Sequence, residues 1–144
     1  MTATYFDASA WVKTLIDEPG SSLAIEVLTR SAITATSRLA FFEVEAALAA
    51  ARRRARLDQL EAARAREMWR DVRSTTRTMA LTTGISDLAA DLVQAHPLSG
   101  ADAVHLASAL TLGPTALMVT WDRRLALAAL AEGLAVVPAP TPTS

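Results

Sequence analysis

Fifteen Asp and Glu residues are spread along this 144-residue chain. Most sit among polar neighbours or on helix faces that water can reach, as Asp17, Glu18, Glu26, Glu61, Glu67, Asp87 and Glu132 do. Four do not. Asp7 directly follows a β-prone Tyr5-Phe6, and Asp122 directly follows Leu117 to Trp121. In open α/β sheets, sites form beyond the carboxyl ends of strands, so acids at two such ends can face one crevice. Asp is also a good N-cap, so each reads equally well as the start of the helix that follows. Glu43 is harder to dismiss, because its helical neighbours at i−4, i+3, i+4 and i+7 are Leu39, Ala46, Ala47 and Ala50. An ionised carboxylate on that face is costly unless it is paired or bound to a cation. Glu45 turns instead toward Phe41 and Arg52 and reads as exposed. Asp102 lies in the first turn of a helix continuing Ala103-Val104-His105-Leu106-Ala107, where the helix dipole favours it by about 0.3–1 kcal/mol. His105, one turn on, reads as a satisfied core residue rather than a catalytic one.

Cysteine is absent and the histidines are two, His96 and His105, so a thiolate site is impossible and an imidazole zinc site is disfavoured. Any metal must be held by oxygen. The formal charge of −1 does not by itself announce a nucleic-acid binder. Its distribution says more. Nine of the fourteen basic residues fall between Arg52 and Arg77, against the acids Asp58, Glu61, Glu67 and Asp71, so that segment is locally positive.

The elements that must position these residues are legible. Five β-prone runs, Tyr5-Phe6, Ala32 to Thr36, Thr78 to Leu81, Leu117 to Trp121 and Leu134 to Val137, are each separated from the next by helical patterns. Such alternation implies crossover connections and a mostly parallel sheet covered on both faces. A helix is expected from Ser37 to about Arg54, and another to about Ser74 behind a capping box of Asp58 with Glu61. Ser99 to Asp102 repeats the Ser-x-x-acid spacing before a helix over Ala103 to Leu112, and further helices are expected over Ser86 to Ala95 and Arg123 to Glu132. The length suits one domain, placed at 1–138, with 139–144 as a flexible tail holding Pro140 and Pro142. The hydrophobic share is 51% with 5% aromatic, so the core should be aliphatic helix faces in close contact. No basic segment leads into an apolar stretch at the N-terminus, and no apolar run reaches membrane-spanning length, so a cytoplasmic location is expected.

Four stretches together resemble the PIN domain, in particular the VapC-type toxins of bacterial type II toxin–antitoxin systems. They are Tyr5 to Ala10 (YFDASA), Ser37 to Leu48 (SRLAFFEVEAAL), Leu98 to Ala109 (LSGADAVHLASA) and Val119 to Leu125 (VTWDRRL), in family order across almost the whole chain. The resemblance implies a PIN-like three-layer α/β fold, with a central sheet of about five short strands flanked by helices. It places the family's acids at Asp7, Glu43, Asp102 and Asp122, with Ser9 and Thr120 as hydroxyl neighbours. Converging carboxylates repel one another and so imply bound positive charge. Hard oxygen donors select Mg²⁺ or Mn²⁺, and Mg²⁺ keeps several waters while taking one or two carboxylates directly. Asp7 and Asp102 are the expected ligands, Asp122 completes the site through water, and Glu43 either binds water or serves as general base. The chemistry expected is metal-assisted hydrolysis of a phosphodiester, and the resemblance implies RNA as substrate with 5′-phosphate and 3′-hydroxyl products.

Arg38, Arg123 and Arg124 flank these elements and are the expected RNA contacts, with single-stranded or looped RNA the favoured target. The resemblance further implies a VapB-type antitoxin partner and a homodimer. Trp11, Phe41, Phe42 and Trp69 offer candidate apolar surfaces, although such side chains are more often core, and antitoxin contact is expected near Trp11 and a Ser21 to Leu28 helix. Two rivals are a catalytically silent PIN-like binding module and a phosphatase with an aspartate nucleophile. For the latter, Asp7-Ala8-Ser9 lacks a second acid two residues on.

Overall fold

The computed structural model describes residues 2–140. Its elements run β1 (Ala3–Phe6), α1 (Ala8–Leu15), α2 (Ser21–Arg30), β2 (Ile33–Ser37), α3 (Leu39–Arg53), α4 (Gln59–Ser74), β3 (Arg77–Met79), α5 (Thr83–Ala95), α6 (Gly100–Thr111), β4 (Leu117–Val119), α7 (Arg123–Ala131) and β5 (Ala135–Val137). The strands form one five-stranded sheet in the order β3-β2-β1-β4-β5, with every pairing parallel. Side chains alternate across it as strand geometry requires. Tyr5 and Met118 join the core under α5, α6 and α7, whereas Phe6 and Val119 join the core under α1, α3 and α4. The expected three layers are present.

The strand order explains where a site can form. From β1 the chain moves outward to β2 and β3 with its helices on one face, then returns past β1 to β4 and β5 with its helices on the other. The connections leaving β1 and β4 therefore diverge to opposite faces, and a crevice opens between two adjacent strands where the order reverses. The register pairs Phe6 with Val119, which brings the residues after both strands to one end of the sheet.

Helix starts follow local chemistry. Asp58 and Glu61 form the anticipated reciprocal capping box, with Glu61 N–H donating to Asp58 Oδ1 at 2.8 Å and Asp58 N–H to Glu61 Oε1 at 3.0 Å. Ser99 caps α6, so that helix begins at Gly100, a turn earlier than the apolar pattern suggests. Thr82 caps α5 through Ile85 N–H and likewise moves its start forward. Ser37 does not open α3. It ends β2 instead, and its hydroxyl accepts from Leu39 N–H at 3.2 Å. β4 stops at Val119 rather than Trp121: Thr120 N–H still donates to Val137 O at 3.1 Å, but Trp121 N–H is diverted to Ser9 Oγ. Of the tail expected at 139–144, residues 141–144 lie outside the described residues. Among the described residues, no helix is long and apolar enough to cross a membrane.

Two of the aromatic residues offered as surface are core. Trp11 is 0% exposed and its Nε1–H donates to Thr36 Oγ1 at 3.0 Å, while Trp69 packs between Trp11 and Phe41. Their rings fill the space that the small residues of α3 and α4 leave open. Phe41 is half-buried, and Phe42 is 61% exposed.

Candidate active site

Asp7 sits at the crevice, one residue beyond β1. It does cap α1, as its position suggests, since Oδ1 accepts from Ala10 N–H at 2.9 Å. Capping leaves it with more to do. Ser9 Oγ donates to Oδ1 at 2.7 Å, and Thr120 Oγ1 donates to Oδ2 at 2.6 Å. Each hydroxyl has a single proton, committed here to Asp7, so each must serve as acceptor elsewhere. Trp121 N–H donates to Ser9 Oγ at 2.9 Å, and Asp122 N–H donates to Thr120 Oγ1 at 3.0 Å. Two short relays thus run from backbone amides after β4 to the two oxygens of one carboxylate after β1. With Oδ1 taking two donors and Oδ2 one, about one of the roughly four acceptor positions of a carboxylate remains, on Oδ2.

Asp7 is 4% exposed. Burial raises its pKa, against the lowering pull of His105 and of the Thr120, Ser9 and Ala10 donors. The hydroxyls soften the burial cost without removing it, which leaves a carboxylate whose charge is costly in the absence of a cation.

Asp122 caps α7 by accepting from Leu125 N–H at 3.1 Å, so its capping reading also holds. It lies close enough to Asp102 to act on it. Burial first, and the Asp122 charge second, raise the Asp102 pKa; Glu43 adds a smaller push, while Ser99 and His105 pull the other way. Asp102 on α6 therefore feels like charge from two other elements, the β4–α7 turn through Asp122 and α3 through Glu43.

Glu43 has an explanation that the apolar face around it does not reveal. Its Oε1 lies 2.6 Å from His105 Nε2, and His105 Nδ1 lies 2.6 Å from Tyr5 Oη. The imidazole is fully buried, and the Glu43 side chain is 27% exposed. His105 is thus satisfied, as expected of a core histidine, and one of its partners is the candidate acid Glu43. The signal for this lay in counting polar groups. Tyr5 faces inward on a buried strand, and Glu43 and His105 lie on apolar helix faces, so three buried polar groups each needed a partner.

A family model, that of the PIN domain, matches residues 4–132. The chain belongs to the PIN domain family. It is 49% identical over 140 residues, 96% of its length, to two proteins of Mycobacterium tuberculosis: Ribonuclease VapC45 of strain CDC 1551 / Oshkosh and Ribonuclease VapC49 of strain ATCC 25618 / H37Rv, 97% of each being covered. Among solved structures, the fold is similar to that of PAE2754 from Pyrobaculum aerophilum, with TM-score 0.69 and 21% identity over 94% of this chain and 84% of that one. It is also similar to Mycobacterium tuberculosis VapC20, described as a sarcin-ricin loop cleaving toxin, with TM-score 0.66 and 17% identity over 87% and 94%. A toxin–antitoxin complex from Klebsiella pneumoniae matches with TM-score 0.62 and 18% identity over 84% and 88%.

The donor set of this PIN domain fits a hard cation of the Mg²⁺ class. All candidate donors are oxygen, Asp7 keeps one acceptor position, and Asp102 has its pKa raised by burial and by neighbouring acids. Among the described residues, no three His, Asp or Glu side chains converge closely enough to hold an ion by themselves. That spread suits an ion held directly by one or two carboxylates and otherwise by water.

Cations lie on or beside the elements that carry these acids. Arg38, at the N-cap position of α3, stands 4.7 Å from the Phe41 ring centroid, and Arg73 of α4 stands 4.6 Å from the same centroid. Sequence reasoning placed Arg73 only within a positive segment; the fold brings it onto the ring beside Arg38. Arg123 and Arg124 are exposed in the first turn of α7, where positive charge opposes the helix dipole. A pocket of ≈ 240 Å³ runs beside Thr120, Asp122 and Arg123 toward Pro138 and Pro140. Elsewhere the basic segment is partly engaged, Arg66 pairing with Glu45 at 2.7 Å and Arg56 with Glu18 at 3.4 Å.

Proposed function

We propose that this PIN-domain chain is the toxin of a toxin–antitoxin pair, an Mg²⁺- or Mn²⁺-dependent endoribonuclease that hydrolyses RNA phosphodiesters. The observation that carries the reading is the Asp7 carboxylate. It is held by two hydroxyl relays at the sheet's crevice with one acceptor position left, while Asp102 has its pKa raised by burial and by the Asp122 and Glu43 charges. The names of the two relatives that are 49% identical support the same activity.

In this reading Asp7 and Asp102 would hold the cation, with Asp122 acting through water. When bound, the ion supplies an acidified water and offsets charge on the phosphoryl oxygens. Ser9 and Thr120 keep Asp7 oriented toward the crevice. Glu43, with Oε1 on His105, uses its other oxygen to orient the attacking water and accept its proton, and the 3′ oxygen leaves in line, taking a proton from solvent, to give a 5′-phosphate and a 3′-hydroxyl. Arg38, Arg73, Arg123 and Arg124 bind the flanking phosphates of a single-stranded or looped RNA, and the exposed Phe42 offers a base a stacking face. An aspartate-nucleophile phosphatase fits poorly, since Asp7 is buried and its oxygens already accept three hydrogen bonds.

The unit spans 1–138, acts in the cytoplasm and forms a homodimer. A VapB-type antitoxin restrains it. Support for antitoxin contact at α2 comes from a groove of ≈ 500 Å³ lined by Leu23, Val27 and Leu117, whereas the buried Trp11 is withdrawn from that contact. Protection of α2 amides from hydrogen exchange on antitoxin binding is the expected result, and unchanged exchange counts against this surface. For the activity itself, RNA ends are sequenced after inducing the wild type and Asp7→Asn. New 5′-phosphate ends confined to the wild type support the proposal, and identical end profiles overturn it.

A further inference from the structure

Glu43 and His105 belong to helices on opposite faces of the sheet. α3 packs through Ala40, Val44 and Leu48 on one side, and α6 packs through Ala103, Leu106 and Ala107 on the other. Their side chains meet with Glu43 Oε1 2.6 Å from His105 Nε2, and the same imidazole is held from behind by Tyr5 Oη at 2.6 Å. Tyr5 lies on β1, the central strand, two residues before Asp7. The three groups form a chain from the middle of the sheet to the rim of the crevice.

The chain leaves the imidazole little freedom. His105 is buried, its ring packs edge-on against Tyr5 with centroids 5.8 Å apart, and both ring nitrogens are engaged. While Glu43 is ionised, Nε2 carries a hydrogen directed at Oε1 whether or not Nδ1 is also protonated; Tyr5 then donates to Nδ1 or accepts from it. Either way one Glu43 oxygen is fixed. A half-buried Glu on three rotatable bonds otherwise samples several rotamers, at an entropic cost each time it must return to a productive one.

We infer that Tyr5 and His105 are positioning residues, which fix one oxygen of Glu43 so that the other faces the attacking water. The inference rests on the reading that Glu43 acts in hydrolysis. Neither residue touches substrate. Their effect falls on turnover and leaves RNA binding unchanged, as with partners that orient ligands around metal sites, whose loss costs about 10–100-fold in activity.

The test measures kcat and KM for full-length protein on a short fluorogenic single-stranded RNA in Mg²⁺, normalised to the folded fraction from thermal melts. The set is Glu43→Gln, Tyr5→Phe, His105→Leu, His105→Gln and the double variant Glu43→Gln/His105→Gln. His105→Gln keeps a terminal N–H near the position of Nε2, so it should recover most of the turnover that His105→Leu loses. His105→Leu should lower kcat about 10–100-fold with KM within about twofold. Tyr5→Phe should lower kcat by a smaller factor. In the Glu43→Gln background, His105→Gln should cost nothing further, because the two act through one interaction. If Glu43→Gln is inactive while His105→Leu turns over within about threefold of wild type, or if His105→Gln and His105→Leu are equally impaired, the positioning role is overturned and the nuclease reading stands. If Glu43→Gln itself retains activity, the underlying reading of Glu43 fails. Should His105→Leu not fold, Tyr5→Phe and the double variant decide the question: undiminished kcat in the first, or an additive loss in the second, overturns it.

Discussion

The 2.6 Å hydrogen bond between Glu43 Oε1 and His105 Nε2 joins the two helical layers of this PIN domain across the end of its sheet. It gives a carboxylate on an apolar face a reason to be there, and it makes that carboxylate part of the architecture. Removing the imidazole costs Tyr5 Oη its partner at 2.6 Å and leaves it only Ser108 and the Ser37 backbone, and a lost buried hydrogen bond costs about 0.5–1.5 kcal/mol. His105→Ala should therefore lower the urea midpoint with little change in m, by more than Glu43→Gln, which keeps both shape and hydrogen-bonding capacity. Equal midpoints for the two variants would contradict the bond's structural role.

The acids predict how stability responds to pH and to metal. Burial raises the pKa of Asp7, and burial with the Asp122 charge raises that of Asp102. A raised folded-state pKa means that the folded chain holds the proton more tightly than the unfolded one. The resulting stabilisation is complete below the unfolded value, about 3.9 for Asp, and is lost as pH rises through the raised folded value. Asp7→Asn removes the penalty. The difference in Tm between Asp7→Asn and the metal-free wild type should thus favour the variant at neutral pH and shrink as pH falls toward 4. Mg²⁺ should raise the wild-type Tm at neutral pH by mass action, and should leave Asp7→Asn nearly unmoved. Calorimetry across that pH range, with Mg²⁺ or EDTA, checks both statements.

Arg38 and Arg73 share the Phe41 ring. If both meet RNA phosphates, Arg38→Gln and Arg73→Gln should each raise KM with kcat nearly unchanged. Each should also reduce the slope of log affinity against log salt by about 0.7, the value for one single-strand phosphate contact. Titrations of a catalytically inactive Asp7→Asn protein at several salt concentrations read this directly; an unchanged slope removes them from the RNA path.

Gly20 ties the α1–α2 turn to the site. Its φ is +97°, and a Cβ there would stand 2.7 Å from Trp121 Nε1, the residue before Asp122. Gly20→Ala faces both left-handed backbone strain and a collision with the indole, so it should lower stability by about 1–3 kcal/mol. By displacing Trp121 it should also weaken the Trp121 N–H to Ser9 relay and reduce kcat. Melting curves paired with turnover measure both effects.

What the sequence disclosed, and what it concealed, follow physical lines. Strand and helix alternation, the Asp58–Glu61 box and the acids beyond β1 and β4 were readable, because propensity, capping and period are local. The start at Thr83 was missed because Thr82 caps through its side chain ahead of the apolar pattern; the Ser99 cap was readable, but the apolar pattern placed the helix itself from Ala103 rather than Gly100. The segment after Ser99 reads as one apolar helix, yet its His105 meets a residue 62 positions away, and its other partner is 100 away. Pairings of that range depend on which helices share the crevice, which no period encodes. Asp7 and Asp122 looked like either caps or site acids, and they cap their helices while facing the crevice.

The most direct test of the account is cleavage of a single-stranded RNA by the purified protein, with Mg²⁺ or with EDTA, alongside Asp7→Asn prepared identically. Cleavage leaving 5′-phosphate ends in Mg²⁺, abolished by EDTA, restored by added Mg²⁺ and reduced at least about 100-fold in Asp7→Asn, is the predicted result. Cleavage by Asp7→Asn at the wild-type rate, or cleavage undiminished in EDTA, would contradict it.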